Sequence, residues 1–547
     1  MAETGTSAVN AANETTPLLR EDTSVNGSAE AQAPSGAAGE TAPEVEGMPE
    51  MAARMHLLLP AIGIGIYLCA MDQMLTVASY AKIGSDLNAL NSTSWVATAY
   101  FLTLTSFQPL YGKLSDIFGR KECLLFSYTV FGLGCLGCGL AQNMLQLCVS
   151  RAVAGIGGGG MNSVVSILIS DIVPLRDRGV WQGYLNIIFA AGTSTGAPLG
   201  GLLADSIGWR WSFLGQVPLC VIAFITVSLA LHLPKKDHAH WAEKVARIDF
   251  LGAALLVSAV VGLLAGLDAG SNRGWSDRFT LAGLISAPIL FALFILVEMR
   301  VASHPFAPGH IIFDRSLFAC YLANFFGTTG QTACIFFAPL FFQAVQGLST
   351  TDSGSLLVPC MICAVAASLG GGFIIRRTGR YFWITVAGYA LLFFSAPPLM
   401  ASIYAKSTWG VVAGLSLSAL GAGSGITTTL VALLSNALPE DTAVVVACSY
   451  LFRSLGSSIG ISISSAVLQN VLRSELLRRL GDGDAAREVE ERVRKDMRAI
   501  ADLPPAVAAD VRESYRLGVG AAMGPTVIVL AFAVFATIFI REKTMKK

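Results

Sequence analysis

The chain has 547 residues, of which 53% are hydrophobic and only 14% charged, with 37 basic side chains balancing 37 acidic ones. Soluble domains carry about 25% charge, so this composition excludes a string of aqueous domains and calls for lipid-facing helices. Zero net charge also argues against a nucleic-acid partner, which would want a basic patch.

The first fifty residues hold nine acidic side chains and one basic one among Ala, Ser, Thr, Gly and Pro. Such a segment buries too little apolar surface to fold, and 1–54 is expected to be a disordered cytoplasmic tail. It lacks the basic start and apolar core of a cleaved leader, so targeting falls to the first span. Within it, Glu14 followed by Leu18 and Leu19 resembles an acidic dileucine signal, which would engage a sorting adaptor. A match this short also arises by chance.

About 20 apolar residues cross a bilayer core. Fourteen such spans are predicted near 57–80, 95–112, 122–141, 144–170, 180–203, 212–232, 250–267, 280–299, 317–345, 354–374, 381–402, 409–434, 442–470 and 520–540. An even number puts both termini on one side. With the amino terminus in the cytoplasm, the short inner loops hold 14 Lys/Arg and the short outer loops five, which is the positive-inside asymmetry. Segment 471–516, with ten basic and ten acidic residues, then lies outside and reads as one or two amphipathic surface helices. Asn91-Ser-Thr is a glycosylation sequon on that side.

A repeat follows. Gly112-Lys-Leu-Ser-Asp116-Ile-Phe-Gly119-Arg120-Lys121 ends the second span, and Gly372-Phe-Ile-Ile-Arg376-Arg377-Thr-Gly379-Arg380 ends the tenth with the same spacing between glycines. Gly192-x-x-x-Gly196 in the fifth span has a partner in Gly456-x-x-x-Gly460 of the thirteenth. These pairs predict an all-α membrane protein of two six-helix bundles, 55–234 and 311–541, joined by a linker with two extra helices, 235–310, and ending in a short cytoplasmic tail, 542–547. Parallel repeats around a central site are a transporter architecture.

These residues carry a resemblance. The loop Gly112 to Lys121, the run Arg151-Ala-Val-Ala-Gly155-Ile-Gly157, and Gly192-x-x-x-Gly196-Ala-Pro198-Leu-Gly200-Gly201 resemble the motifs of the major facilitator superfamily, in its fourteen-span drug:proton antiporter branch. Pro198 stands one place later than in that branch's antiporter motif. Adding Asp171 to Gly179 and Trp209 to Phe213, the sequence is most similar to fungal vacuolar basic amino acid transporters. The resemblance implies proton-driven uptake of arginine, lysine and histidine into the vacuole, or, as in other members of the branch, efflux of drugs or toxins at the plasma membrane.

Three ionisable residues stand at membrane depth: Asp72, Arg151 and Arg453. Such a charge costs ~2.5–3.5 kcal/mol to insert, so each needs a partner or an aqueous cavity. Asp72, ~15 residues from the inner end of its span, and Arg151, ~7 from the outer end of its own, both fall in the outer half at ~1.5 Å per residue, where they can meet. A carboxylate in a partly dry cavity is neutralised by desolvation and kept ionised by a guanidinium. Asp72 is therefore expected to carry the coupling proton and to compete for cationic substrate, with Arg151 tuning it; the alternative is a fixed structural ion pair. Arg453 reads equally as a transport residue or as a donor to backbone carbonyls.

In the resembling fold the first, fourth and ninth spans line the central cavity, so Asp72, Gln73, Asn162, Asn324 and Gln331 are the candidates for it. Each alone also serves as interhelical glue. Gly112, Asp116, Gly119 and Arg120, with Arg376 and Arg380 from the second repeat, are the candidate cytoplasmic gate. There Asp116 bridges to Arg120 or caps a helix of the other half, and the alternative is charge that only sets topology. The small residues of the fifth span, facing Gly354, Ala364, Ala367, Ser368 and Gly370 to Gly372 of the tenth, are expected to form a sliding seam.

All six histidines lie in loops or at span ends, the cysteine pairs 135/138 and 360/363 lack further ligands, and no phosphate-binding loop is present. No metal, cofactor or catalysis is therefore expected. The partners are a small-molecule substrate, protons and the bilayer, acting on a monomer. A sensor that binds amino acids without moving them shares every motif, and only flux separates it from a transporter.

Overall fold

The computed structural model describes residues 55–87, 94–232, 241–301, 306, 308–348, 350–481, 489, 493, 500 and 503–543. Glu14, Leu18, Leu19, Asn91 and most of 482–502 lie outside the described residues. Without water to satisfy backbone groups, an apolar chain in lipid closes its hydrogen bonds within helices. The described residues are accordingly helices joined by short turns, with no strand among them.

The long rods are α1 Met55–Asp86, α2 Ser94–Phe118, α3 Arg120–Leu140, α4 Met144–Ile172, α5 Arg178–Ser206, α6 Arg210–Ala230, α7 Phe250–Arg273 and α8 Arg278–Arg300. They continue as α9 Arg315–Val345, α10 Val358–Thr378, α11 Phe382–Tyr404, α12 Thr408–Asn436, α13 Thr442–Leu480 and α14 Pro505–Thr537. Where rods begin, short polar side chains take up backbone donors that the first turn leaves unpaired: Asn143 accepts from Gln146 N at 2.9 Å, and Asp314 from Ser316 N at 2.9 Å. Gly119 (φ 105°) and Gly379 (φ 69°) make the tight turns after α2 and α10, conformations a Cβ disfavours.

Thirteen of the rods are long and apolar enough to cross a membrane, and α2 is the fourteenth. Its shortfall has a physical reason. Thr105, Ser106 and Gln108 are all 3% exposed or less, because α2 is wedged between α4 and α13 and shows lipid little of itself. By contrast α8 turns Phe279, Ile285, Ile289 and Leu296 outward.

The repeat is visible in the packing. In the first half α1 lies on α5, α2 on α4 and α3 on α4; in the second α9 lies on α13, α10 on α12 and α11 on α12. Gly192 and Gly196 press on α1, where an added Cβ would come within 2.6 Å of the Tyr67 carbonyl and 2.5 Å of the Met71 carbonyl. Their counterparts Gly456 and Gly460 press on α9, at 2.4 Å from the Phe325 carbonyl and 2.1 Å from that of Thr329. The extra pair α7 and α8 pack on each other, and α7 leans on both α2 and α13. It therefore straddles the seam between the halves.

One expectation is corrected here. Gly192 and Gly196 do not face α10; they sit on the face of α5 turned to α1. The contact with α10 runs along another face of α5, where Gly179 meets Gly372 and Gly183 meets Leu369, Asn186 donates to Ser368 and Ser194 reaches the Met361 sulfur at 3.5 Å. Gly354 and Gly370 have nothing within 4 Å of an added Cβ.

At the end opposite the Lys/Arg-rich short loops, the charged segment does not begin as separate surface helices. Residues 471–480 continue α13 and 505–519 open α14, and Leu472, Leu476, Val511 and Tyr515 bury a small core between them. Lys406 reaches Glu513 at 2.9 Å. Glu513, on the part of α14 that projects beyond the apolar stretch 520–540, is pushed down to about 2 by hydrogen bonds from Arg516 and from Lys406. A depressed carboxylate contributes stability above its unfolded value and loses it only as pH falls toward the folded one. This tie is expected to hold unchanged from pH 7 to pH 5 and to fail only below about 4.5. Limited proteolysis of segment 471–516 at those pH values checks it.

Candidate functional site

Asp72 on α1 and Arg151 on α4 form an ion pair buried within the first half: Arg151 Nη1 donates to Asp72 Oδ2 at 2.7 Å, and the two side chains are 0% and 1% exposed. Taking both charges out of water costs several kcal/mol each, and only close geometry with further hydrogen bonds offsets it. Those bonds are present. Arg151 Nε donates to the Val96 carbonyl at 3.2 Å, and Gln216 Nε2 donates to Asp72 Oδ1 at 3.1 Å. The guanidinium lies 4.3 Å from the Tyr100 ring centre and 5.6 Å from that of Phe213, a cation–π setting.

A polar chain leads from this pair toward less buried ground. Tyr100, under the guanidinium, shares a hydrogen bond with Cys69 Sγ at 3.1 Å. Asn162 Nδ2 donates to the same sulfur at 3.1 Å, and Gln73 Nε2 reaches it at 3.7 Å. Gln73 and Asn162 are half-buried. The structure thus joins Asp72, Arg151, Gln73 and Asn162 in one cluster, with Asp72 itself shut off from solvent in this conformation.

Asn324 is elsewhere. It is 1% exposed inside a closed net of the second half, donating to Ser449 and accepting from Tyr389 and Thr429. It meets no open space here. Gln331 is half-buried further along α9.

Sequence reasoning passed over Gln216, Tyr100 and Cys69. A single amide in α6, just before the largely apolar run 217–230, was the available signal for Gln216. Replacing Gln216 with Leu leaves Asp72 Oδ1 without its amide donor; hydrogen bonds to charged groups are worth ~1.5–3 kcal/mol. The variant's unfolding midpoint in detergent is expected to fall accordingly.

The candidate gate residues divide into two groups. Arg120 bridges Asp116 at 2.6 Å and Asp171, at the end of α4, at 2.8 Å; this network stays within the first half. Arg376 instead crosses the seam to Asp177, beside α5, at 2.8 Å. Arg380 is exposed, and among the described residues its hydrogen bonds are backbone contacts to Thr378 at its own turn. Gly112 lies against α13, where a Cβ would stand 2.9 Å from the Ala443 carbonyl. Deeper in the seam Gln108 accepts from Ser454 at 2.9 Å, Ser166 and Tyr450 share a bond of 2.6 Å, and Asn186 donates to Ser368 at 2.8 Å. The end bearing the basic loops is closed.

Of the antiporter-motif residues, Gly192 and Gly196 hold α1 as described, Pro198 lies inside α5, and the Gly200 carbonyl accepts from Ser79 at 3.2 Å. Gly201 has nothing within 4 Å of an added Cβ.

Two repeated six-helix halves, closed against each other at one end around intramembrane polar groups, define a secondary transporter. The profile described as Major Facilitator Superfamily matches residues 62–461, and the chain belongs to that family of transporters, which are not enzymes. It is 40% identical over 458 residues to the "Vacuolar membrane amino acid uptake transporter fnx2" of Schizosaccharomyces pombe, covering 84% of this chain and 79% of that one. The "Multidrug resistance protein fnx1" of the same yeast is 34% identical, with 85% and 88% covered. The "Vacuolar basic amino acid transporter 2" of Saccharomyces cerevisiae is 34% identical, with 71% and 85% covered. Among solved structures, the human organic anion transporter MFSD10 superposes with a TM-score of 0.57 at 14% identity, covering 88% of this chain and 98% of that one; this likeness concerns the fold.

Proposed function

We propose that this protein moves arginine, lysine and histidine from the cytosol into the vacuole in exchange for lumenal protons, with the end bearing the basic loops in the cytosol. The observation that carries the reading is the buried Asp72–Arg151 pair, wired through Tyr100 and Cys69 to half-buried Asn162 and Gln73. It stands in a chain similar to relatives named for vacuolar amino acid and basic amino acid transport.

With its cytosolic end closed, the molecule in this conformation is shut to the cytosol, and the exchange with the lumen starts from here. Protonating Asp72 removes the charge that holds Arg151, and the freed guanidinium then repels a cation in the cavity and favours its release. Rocking to the cytosolic side and losing the proton restores the pair and lets the next cation bind. In this conformation the substrate does not touch Asp72, so proton and cation compete through Arg151 and the Cys69 cluster. At the cytosolic end the Arg120 network keeps its own half rigid, while the glycine contacts and the Asp177–Arg376 bridge hold the seam.

Uptake of labelled arginine and lysine into vacuolar vesicles, with and without a proton uncoupler, tests the reading. Uptake that collapses with the uncoupler supports it, and binding without flux would make the protein a sensor. A second reading, multidrug efflux at the plasma membrane, is favoured by the likeness to fnx1. It predicts drug hypersensitivity on deletion and no arginine uptake. Localisation after changing Leu18 and Leu19 to Ala tests the proposed role of the dileucine and its adaptor.

A further inference from the structure

Arg453 stands 11 residues into α13, about 16 Å along its axis at ~1.5 Å per residue, and so at membrane depth. Its guanidinium lies 5.2 Å from the centre of the Tyr450 ring. Its Nε is buried with no partner, and no carboxylate pairs with it among the described residues. Asp72, the acid among the three ionisable residues singled out at membrane depth, is already committed to Arg151. A charge left this way in a membrane is costly unless an anion reaches it, and Arg453 is half-buried, so an anion has access.

The helix places that access at the centre of the molecule. At 3.6 residues per turn, positions 450, 453, 454 and 457 share one face about 100° wide. Tyr450 touches Ser166 on α4, Ser454 touches Gln108 on α2, and Ser457 touches Thr332 on α9. Arg453 therefore points to the junction of both halves. On α4, one turn beyond Ser166 in the direction in which Arg453 lies beyond Tyr450, is Asn162. One of its two amide N–H groups donates to Cys69, and its carbonyl oxygen has no donor among the described residues.

Resting on the amino acid reading above, we infer that Arg453 is the anchor for the substrate's α-carboxylate and that the Asn162 carbonyl receives its α-ammonium group. A guanidinium fork matches a carboxylate with two parallel hydrogen bonds. The fit selects free α-amino acids over decarboxylated or esterified analogues that carry the same cationic side chain. It also ties recognition to coupling, because Asn162 shares the Cys69 sulfur with Tyr100, which lies under Arg151.

The test is uptake of labelled arginine into vesicles containing the full-length protein, competed by lysine, by agmatine and by arginine methyl ester. Removing one side of a desolvated charge pair costs about 2 kcal/mol or more, roughly 30-fold in affinity. In the wild type, agmatine and the ester should therefore compete at least 30-fold more weakly than lysine. Arg453→Gln should raise the KM for arginine by a similar factor and bring agmatine within about threefold of arginine. Arg453→Lys, keeping the charge without the fork, should fall between. Wild-type uptake blocked equally by agmatine and lysine would overturn the anchor while leaving cation transport intact, and it needs no variant to fold. An Arg453→Gln protein with unchanged KM and unchanged discrimination would do the same. Absence of any arginine uptake by the wild type would instead remove the function on which the anchor rests.

Discussion

Leucine in place of Gly372 is expected to hold the transporter open to the cytosol and to cut net uptake by at least about tenfold. A Cβ at this position would lie 2.5 Å from the Gly179 carbonyl carbon and 2.6 Å from Val180 N. These are backbone atoms of the facing helix and cannot swing aside as a flexible side chain would; overpacking of this kind typically costs ~1–3 kcal/mol. The clash exists only when the halves are closed at this end, so the equilibrium shifts toward the open form by the full difference. Gln108, 3% exposed in the closed form, supplies the readout. A cysteine placed there should resist a membrane-impermeant thiol reagent added from the cytosolic side in the parent protein and react in the Gly372→Leu background. Normal uptake with unchanged protection would show that the seam closes elsewhere. The Asp177–Arg376 bridge offers a contrast in size. Arg376 is 56% exposed as a side chain, and exposed pairs contribute only about 0–1 kcal/mol, so Arg376→Ala should change uptake by no more than about fivefold. Backbone contact between glycines, more than the ion pair, keeps this end shut.

Asp72→Asn is expected to abolish proton-driven accumulation while leaving protein that folds and sorts. Asparagine keeps the shape and still accepts from Gln216, but it leaves Arg151 charged and buried without its counter-ion. Breaking such a pair from one side costs about 3–5 kcal/mol. The unfolding midpoint of the detergent-solubilised protein should therefore drop, and adding Arg151→Gln should restore much of it, because two neutral amides remove the unpaired charge. Transport should not return with stability, since neither amide exchanges a proton. A double variant that regains both would reduce the pair to a structural clamp. One that regains neither would show that Tyr100 and Phe213, stacked about the guanidinium, need the charge for packing.

Much of the architecture was legible in the sequence, because lipid imposes a simple rule on composition: long apolar runs become rods, and repeated glycines mark the same contact twice. Gly192 and Gly196 announced their equivalents Gly456 and Gly460, and both pairs press on the first helix of their own half. Spacing alone did not tell which neighbour each glycine face would meet. The fifth helix uses one face for α1 and another, carrying Gly179, Gly183 and Ser194, for α10, so Gly192 and Gly196 are turned away from the seam expected of them. The Asp72–Arg151 meeting was readable because two opposite charges at the same depth have few other partners. Gln216 was not, since a neutral amide at a helix start has no such compulsion. Asp177 was hidden for a similar reason: a charged residue in a short basic loop reads as topology until the facing Arg376 is seen 2.8 Å away.

The most direct measurement follows the proton itself. Vesicles with an acidic interior and a lumenal pH dye should alkalinise when arginine is added outside, in proportion to the arginine taken up, and the signal should vanish with Asp72→Asn. Arginine accumulating without proton exit, or the same alkalinisation in Asp72→Asn vesicles, would contradict a cycle in which this carboxylate carries the proton.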